Sequence, residues 1–103
     1  MSSTKQLFAN NAETTTAILV NSGDTQITVA DASQFTNPGG TGSYILVTLE
    51  NSGVIEIVKI SNISGNVLTV FGGLSGRGQE GTAATSFPVG TLVECRVTAE
   101  TLD

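Results

Sequence analysis

Asn51-Ser52-Gly53 interrupts two β-forming runs, YILVTLE (44–50) before it and VIEIVKI (54–60) after it. Runs of this length, rich in branched residues and separated by a short loop with Gly in place for a left-handed backbone, fold back on each other as a hairpin. The spacing predicts a three-residue loop, Asn51 to Gly53. Ser64-Gly65-Asn66-Val67 then turns the chain again into VLTVF (67–71), which makes a three-strand meander. The same punctuation continues on both sides. Asn21-Ser22-Gly23-Asp24 separates AILV (17–20), read as the first strand, from TQITV (25–29). Asn37-Pro38-Gly39-Gly40-Thr41-Gly42 is a loop, and Phe87-Pro88-Val89-Gly90 a turn. Asp31 to Phe35 reads as a short helical turn or an irregular segment ending in a buried aromatic ring. From Leu92 to Ala99 the residues alternate strictly, with Val93, Cys95, Val97 and Ala99 on one face and Glu94, Arg96 and Thr98 on the other.

Turns every eight to twelve residues define an all-β domain. The expected fold is a small antiparallel β-barrel or sandwich, residues 17–103, preceded by an extended N-terminal arm, residues 1–16. With 103 residues, roughly two thirds of the unfolded surface is buried, enough for one core but not for a core and a roomy pocket.

Charge narrows the partners. Charged residues make up 13% of the chain, about half the average share, and Ser, Thr, Asn and Gly carry the polarity. The net charge is −5, and four basic residues, Lys5, Lys59, Arg77 and Arg96, are scattered. Nucleic-acid binding needs clustered cations that release counterions, so none is expected. No apolar run approaches the ~20 residues of a membrane-spanning helix, and no membrane partner is expected. The N-terminus lacks the apolar core of a signal peptide.

No catalytic set emerges. The chain has no His, which removes the commonest general base and metal ligand. Cys95 alternates with Val93 and Val97 and reads as a core residue rather than a nucleophile. Asp24 with Asp31, and Glu50 with Glu56, lack metal-loop spacing and read as solvated carboxylates. GRGQEG (76–81) fits the dinucleotide pattern G-x-G-x-x-G, with Glu100 near the position of the ribose ligand. That pattern works only when a helix follows the glycines and its amides meet the pyrophosphate. Here Pro88 ends the following segment, Glu80 opposes a phosphate and no βαβ unit surrounds it. No cofactor and no metal are expected. For Gly76 to Ala84 two readings stand side by side. Arg77 and Glu80 tie the loop to itself, or the loop docks on another protein through charge-assisted bonds.

The run SGRGQEGTAA (75–84), preceded by EIVKISNISGNVLTV (56–70) and followed by FPVGTLVECRVTAETL (87–102), resembles a module of tailed-bacteriophage virion proteins. LFANNAETT (7–15) and ITVADASQF (27–35) match its opening segments in the same order. Such modules sit at the N-terminus of tail fibres and other tail proteins, so the resemblance implies attachment to a particle in place of catalysis. Phe71-Gly72-Gly73-Leu74-Ser75 departs from the pattern and lengthens the loop. This chain also stops at Asp103, where fibre proteins continue into a shaft. Its stand-alone length and low charge favour a capsid decoration or cement protein. The resemblance itself favours a tail or tail-fibre adaptor. A carbohydrate-binding module is a remote third reading, because Trp is absent.

The expected partners are other virion proteins, the major capsid protein or tail and neck proteins, with self-association, as a trimer, alongside. The expected location is the virion. Leu7 and Phe8 are expected to anchor the arm, and Arg77, Gln79, Glu80 and Thr82 to contact the partner. Gly76, Gly78 and Gly81 shape the loop. On this reading, Arg77→Ala together with Glu80→Ala leaves the fold intact.

Overall fold

A computed structural model describes residues 12–39 and 42–95. Six strands form one antiparallel sheet: β1 (Ala12–Thr15), β2 (Gln26–Thr28), β3 (Ile45–Asn51), β4 (Val54–Ser64), β5 (Val67–Val70) and β6 (Leu92–Cys95). Their order across the sheet is β1-β6-β3-β4-β5-β2. The sheet curls into a half-barrel, and its two outer strands meet just beyond their ends. Thr16 bridges Val29, with Ala17 N–H donating to Thr28 O (2.9 Å) and Ala30 N–H to Thr15 O (2.8 Å). Both edges are thereby partly satisfied, which limits the open main chain that invites edge pairing. The all-β expectation therefore holds, with the half-barrel as its form.

Alternation builds the core. Ile45, Val47 and Leu49 of β3, Val58 and Ile60 of β4, Leu68 and Val70 of β5, and Val93 and Cys95 of β6 point inward and are buried with Ile27 and Phe87. Burial pushes the Cys95 thiol above its ordinary range, which suppresses the thiolate a nucleophile needs.

The hairpin loop is shorter than the spacing suggests. Asn51 pairs with Val54, so only Ser52 and Gly53 turn the chain, with φ of 51° and 84°. Two positive φ values are the signature of a type I′ turn, whose twist matches the flanking strands. Serine pays a steric penalty in that region that Asn largely escapes. Ser52→Asn is expected to stabilise the fold by about 0.5 kcal/mol, measured as a higher midpoint in urea unfolding.

Two boundaries differ from expectation. Residues 12–15, assigned above to the arm, form β1 and pair with β6 from Ala12↔Cys95 to Thr15↔Leu92. The apolar run 17–20 is not a strand: Ala17, Ile18 and Leu19 are exposed, and only Val20 pairs, with Phe87. The facing segment departs from strand geometry at Gly90, with φ of 86°, and its Pro88 carbonyl is taken by the Thr16 and Thr91 hydroxyls. Leu7, Phe8 and residues 96–99 lie outside the described residues.

Candidate functional site: the Arg77 loop and its buried carboxylate

Strand β4 has 11 residues and β5 only 4, and β5 pairs with β4 only over Ile60 to Ser64. Beyond that point the chain after β5 covers the vacant edge of β4. Phe71 N–H donates to Lys59 O (2.8 Å) and Gln79 N–H to Ile57 O (2.7 Å). Ile57 N–H in turn donates to Thr82 Oγ1 (3.0 Å). Between these contacts Gly73–Gly76 makes a 3₁₀ turn, built largely from the segment Phe71 to Ser75 that departs from the virion-module pattern. Gln79 to Thr82 closes as a tight turn, Thr82 N–H to Gln79 O (3.0 Å), with positive φ at Glu80 (55°) and Gly81 (84°). The RGQEGT segment is thus a short turn laid along a sheet edge.

Alternation along β4 sends Glu56 inward with Val58 and Ile60, and Glu56 is 0% exposed. Arg77, at 5%, is buried against it. The guanidinium grips the carboxylate with two parallel bonds, Nε to Oε2 at 2.7 Å and Nη2 to Oε1 at 2.9 Å. Its remaining donors reach three carbonyls: Nη1 to Asn21 O (2.8 Å) and Asp24 O (2.8 Å), and Nη2 to Thr85 O (2.9 Å). All five guanidinium donors are used. Glu56 also accepts from Gly78 N–H (2.9 Å, Oε2) and Thr85 N–H (2.8 Å, Oε1), so each carboxylate oxygen takes two bonds. A buried charge pair is tolerable only when its remaining hydrogen-bonding capacity is filled in this way. The pair joins β4, the 21–24 turn and both arms of the Gly-rich loop.

Of the two readings of the loop, the bonds of Arg77 fit the one in which it ties the loop within the chain: it faces the interior, and all five of its guanidinium donors are met there. Glu56 is no solvated carboxylate, and Glu50 faces the other way, paired across the hairpin with Ile55 while Glu56 pairs with Leu49. Gln79 turns its amide back on the loop, Nε2 to Ser75 O (2.8 Å) and to Arg77 O (3.3 Å). Thr82 donates its hydroxyl to Gln79 O (2.7 Å). Of the residues assigned to the partner surface, Glu80 alone is exposed among those described, beside exposed Gly81, Ala83 and Ala84.

The glycines have separate reasons. A Cβ on Gly76 would overlap the Phe71 carbonyl oxygen and lie 2.7 Å from Val70 Cγ1. Gly78 has φ 59°, and a Cβ there would crowd Ala84 N and Thr82 O, whereas Gly81 needs only its positive φ.

Elsewhere, Lys59 places its Nζ 4.4 Å from the Tyr44 ring centre and 5.1 Å from that of Phe71. The two rings meet edge to face at 5.9 Å. The Ser33 N–H bond to Asp31 Oδ1 (2.9 Å), with a further contribution from the Ser33 side chain, holds the Asp31 carboxyl below its ordinary range. Among the described residues no group of three or more His, Cys, Asp or Glu side chains is placed to hold a metal, and no helix is long and apolar enough to cross a membrane.

No protein-family model matches this chain, and no curated protein does. Among solved structures the chain is similar to the Gp54 tailspike of Acinetobacter baumannii bacteriophage AP22, solved in complex with A. baumannii capsular saccharide. The two superpose with a TM-score of 0.51 at 19% identity, over 85% of this chain. The chain spans only 15% of the tailspike's length, so what is shared is the fold of one segment of a much larger protein.

Proposed function

We propose that this chain is a non-enzymatic structural module of a bacteriophage virion, serving as an attachment module in the tail. The observation that carries this reading is the fold shared with a 15% segment of a phage tailspike. The RGQEGT resemblance points to the same class of protein. The site adds a physical reason: its charged pair is saturated and buried, so it locks a backbone and offers no reactive group. A rigid loop suits docking, because little conformational entropy is lost when the partner arrives.

The tailspike binds a saccharide, but sugar recognition does not enter this reading. Sugar sites present an open aromatic face, whereas Tyr44 and Phe71 meet edge to face with Lys59 over both rings. Electron microscopy of phage particles carrying the chain, labelled with an antibody raised against it, tests the proposal. Label on the tail, at a copy number set by the tail's rotational symmetry, is the expected result. Label spread over the head would make the chain a capsid decoration protein, and unlabelled particles would remove it from the virion.

A further inference from the structure

Residues 16–20 and 87–91 run side by side and are pinned at both ends. Val20 and Phe87 exchange two backbone bonds, of 2.9 and 2.7 Å. At the other end Thr16 N–H donates to Thr91 O (2.9 Å) and Gly90 N–H to Thr16 O (2.9 Å). The Thr16 and Thr91 hydroxyls both donate to Pro88 O, at 2.9 and 2.7 Å. The anchors Thr16, Val20, Phe87 and Thr91 are buried, and the residues between them bow outward. Ile18 is 55%, Leu19 51% and Val89 62% exposed, flanked by exposed Ala17 and Pro88. Ile18 also walls an open groove continued by Gly23, Asp24, Thr25, Gln26 and Thr28. Three exposed large apolar side chains on two adjacent segments pinned in this way mark a contact surface.

The chain itself holds a fitting occupant. Eleven residues precede β1, MSSTKQLFANN, polar apart from Met1 and the group Leu7-Phe8-Ala9. Phe8 lies four residues before Ala12, a reach of at most about 14 Å. Strand β1 carries the chain about the same distance in the other direction before it arrives at Thr16 and the patch. To cover its own patch, the arm would have to double straight back along β1. At the Thr15 end of β1, next to the patch, both edges are occupied. One is paired with β6. On the other, Ala30 N–H holds Thr15 O (2.8 Å), Asp31 N–H holds Thr14 Oγ1 (3.1 Å) and Ala17 N–H is bound to Thr28 O (2.9 Å).

We infer that the Ile18-Leu19-Val89 patch is covered by Leu7 and Phe8 of a second copy of this chain. Copies then associate by exchange of N-terminal arms, reciprocally in a dimer or head-to-tail in a closed ring. This inference is independent of where the chain sits in a particle.

Sedimentation of the full chain is expected to show a concentration-dependent oligomer. Leu7→Ser with Phe8→Ser, and separately Ile18→Ser with Val89→Ser, should each weaken association at least tenfold. The circular dichroism spectrum should stay unchanged, since the patch residues are at the surface. Cross-linking fixes the geometry. A tagged Phe8→Cys chain mixed with an untagged Val89→Cys chain should form a disulfide between the two under mild oxidation, with buried Cys95 staying out of the reaction. The inference is overturned by a chain that stays monomeric at all concentrations, by association that both double variants leave intact, or by a mixture that yields no tagged-to-untagged disulfide.

Discussion

Arg77→Ala is expected to cost about 3–5 kcal/mol, a large part of the 5–15 kcal/mol that holds a small domain together. The loss comes from what stays behind. Glu56 would remain fully buried with a charge and two of its four hydrogen bonds gone, and three carbonyls, of Asn21, Asp24 and Thr85, would lose their donor. Urea unfolding followed by circular dichroism reads the effect as a much lower midpoint. Replacing both partners, Arg77→Met with Glu56→Leu, removes the stranded charge and should recover a large share of the loss, because apolar residues of similar volume can substitute for a buried ion pair. A double variant as unstable as the sum of Arg77→Ala and Glu56→Ala would show that the two side chains act independently, contrary to the geometry. Arg77→Ala with Glu80→Ala should be destabilised at least as much as Arg77→Ala, because the loss at Arg77 alone strands Glu56.

Gly76→Ala is the second large effect, expected at about 3 kcal/mol, the upper range for overpacking. The new methyl would meet the Phe71 carbonyl, Val70 Cγ1 and Lys59 O. Two of these are backbone atoms, one of the loop itself and one of the β4 edge it covers, so relief requires opening either the 3₁₀ turn or the Phe71 N–H to Lys59 O bond. Gly23 supplies the comparison. A Cβ there meets nothing within 4 Å and its φ is not in the left-handed region, so Gly23→Ala should be neutral or raise stability by at most about 1 kcal/mol. Thermal unfolding of the two variants side by side separates crowding from loss of backbone freedom. Equal melting temperatures would contradict the tight packing of the loop against β4.

The attachment reading and the stability predictions meet in the same loop. Glu80, Gly81, Ala83 and Ala84 are exposed on a turn whose base is clamped from beneath by the Glu56–Arg77 pair. Loss of the clamp therefore alters the presented surface as well as the fold.

How much of this was legible in the residues depends on whether the information was local. Turn chemistry is local: Ser52-Gly53 and Gly65-Asn66 demand a reversal wherever they occur, so the meander β3-β4-β5 follows from them. Strict alternation likewise places Val93 and Cys95 inward in β6. Local signals misled where the partner mattered. Ala17 to Val20 is apolar enough for a strand, yet the facing segment turns aside at Gly90 (φ 86°) and the two meet only at their ends. Ala12 to Thr15 is plain and polar, yet becomes a strand because β6 offers it an edge.

Glu56 is the sharpest case. In VIEIVKI one face carries Val54, Glu56, Val58 and Ile60 and the other Ile55, Ile57 and Lys59, so each face sets one charge among branched apolar residues. Hydrophobic alternation separates two such faces by a single valine, Val54, at the strand end. The curl of the sheet chose, because it brought the 21–24 turn and the Gly-rich loop over one end of the core, where Arg77 could meet a carboxylate but would have repelled an ammonium. The sequence alone determined the β3-β4-β5 meander and the alternation of β6, whose energies lie largely between neighbours in the chain. Only the tertiary structure could decide which charge to bury, because its compensation comes from an arginine 21 residues away and from carbonyls more distant still.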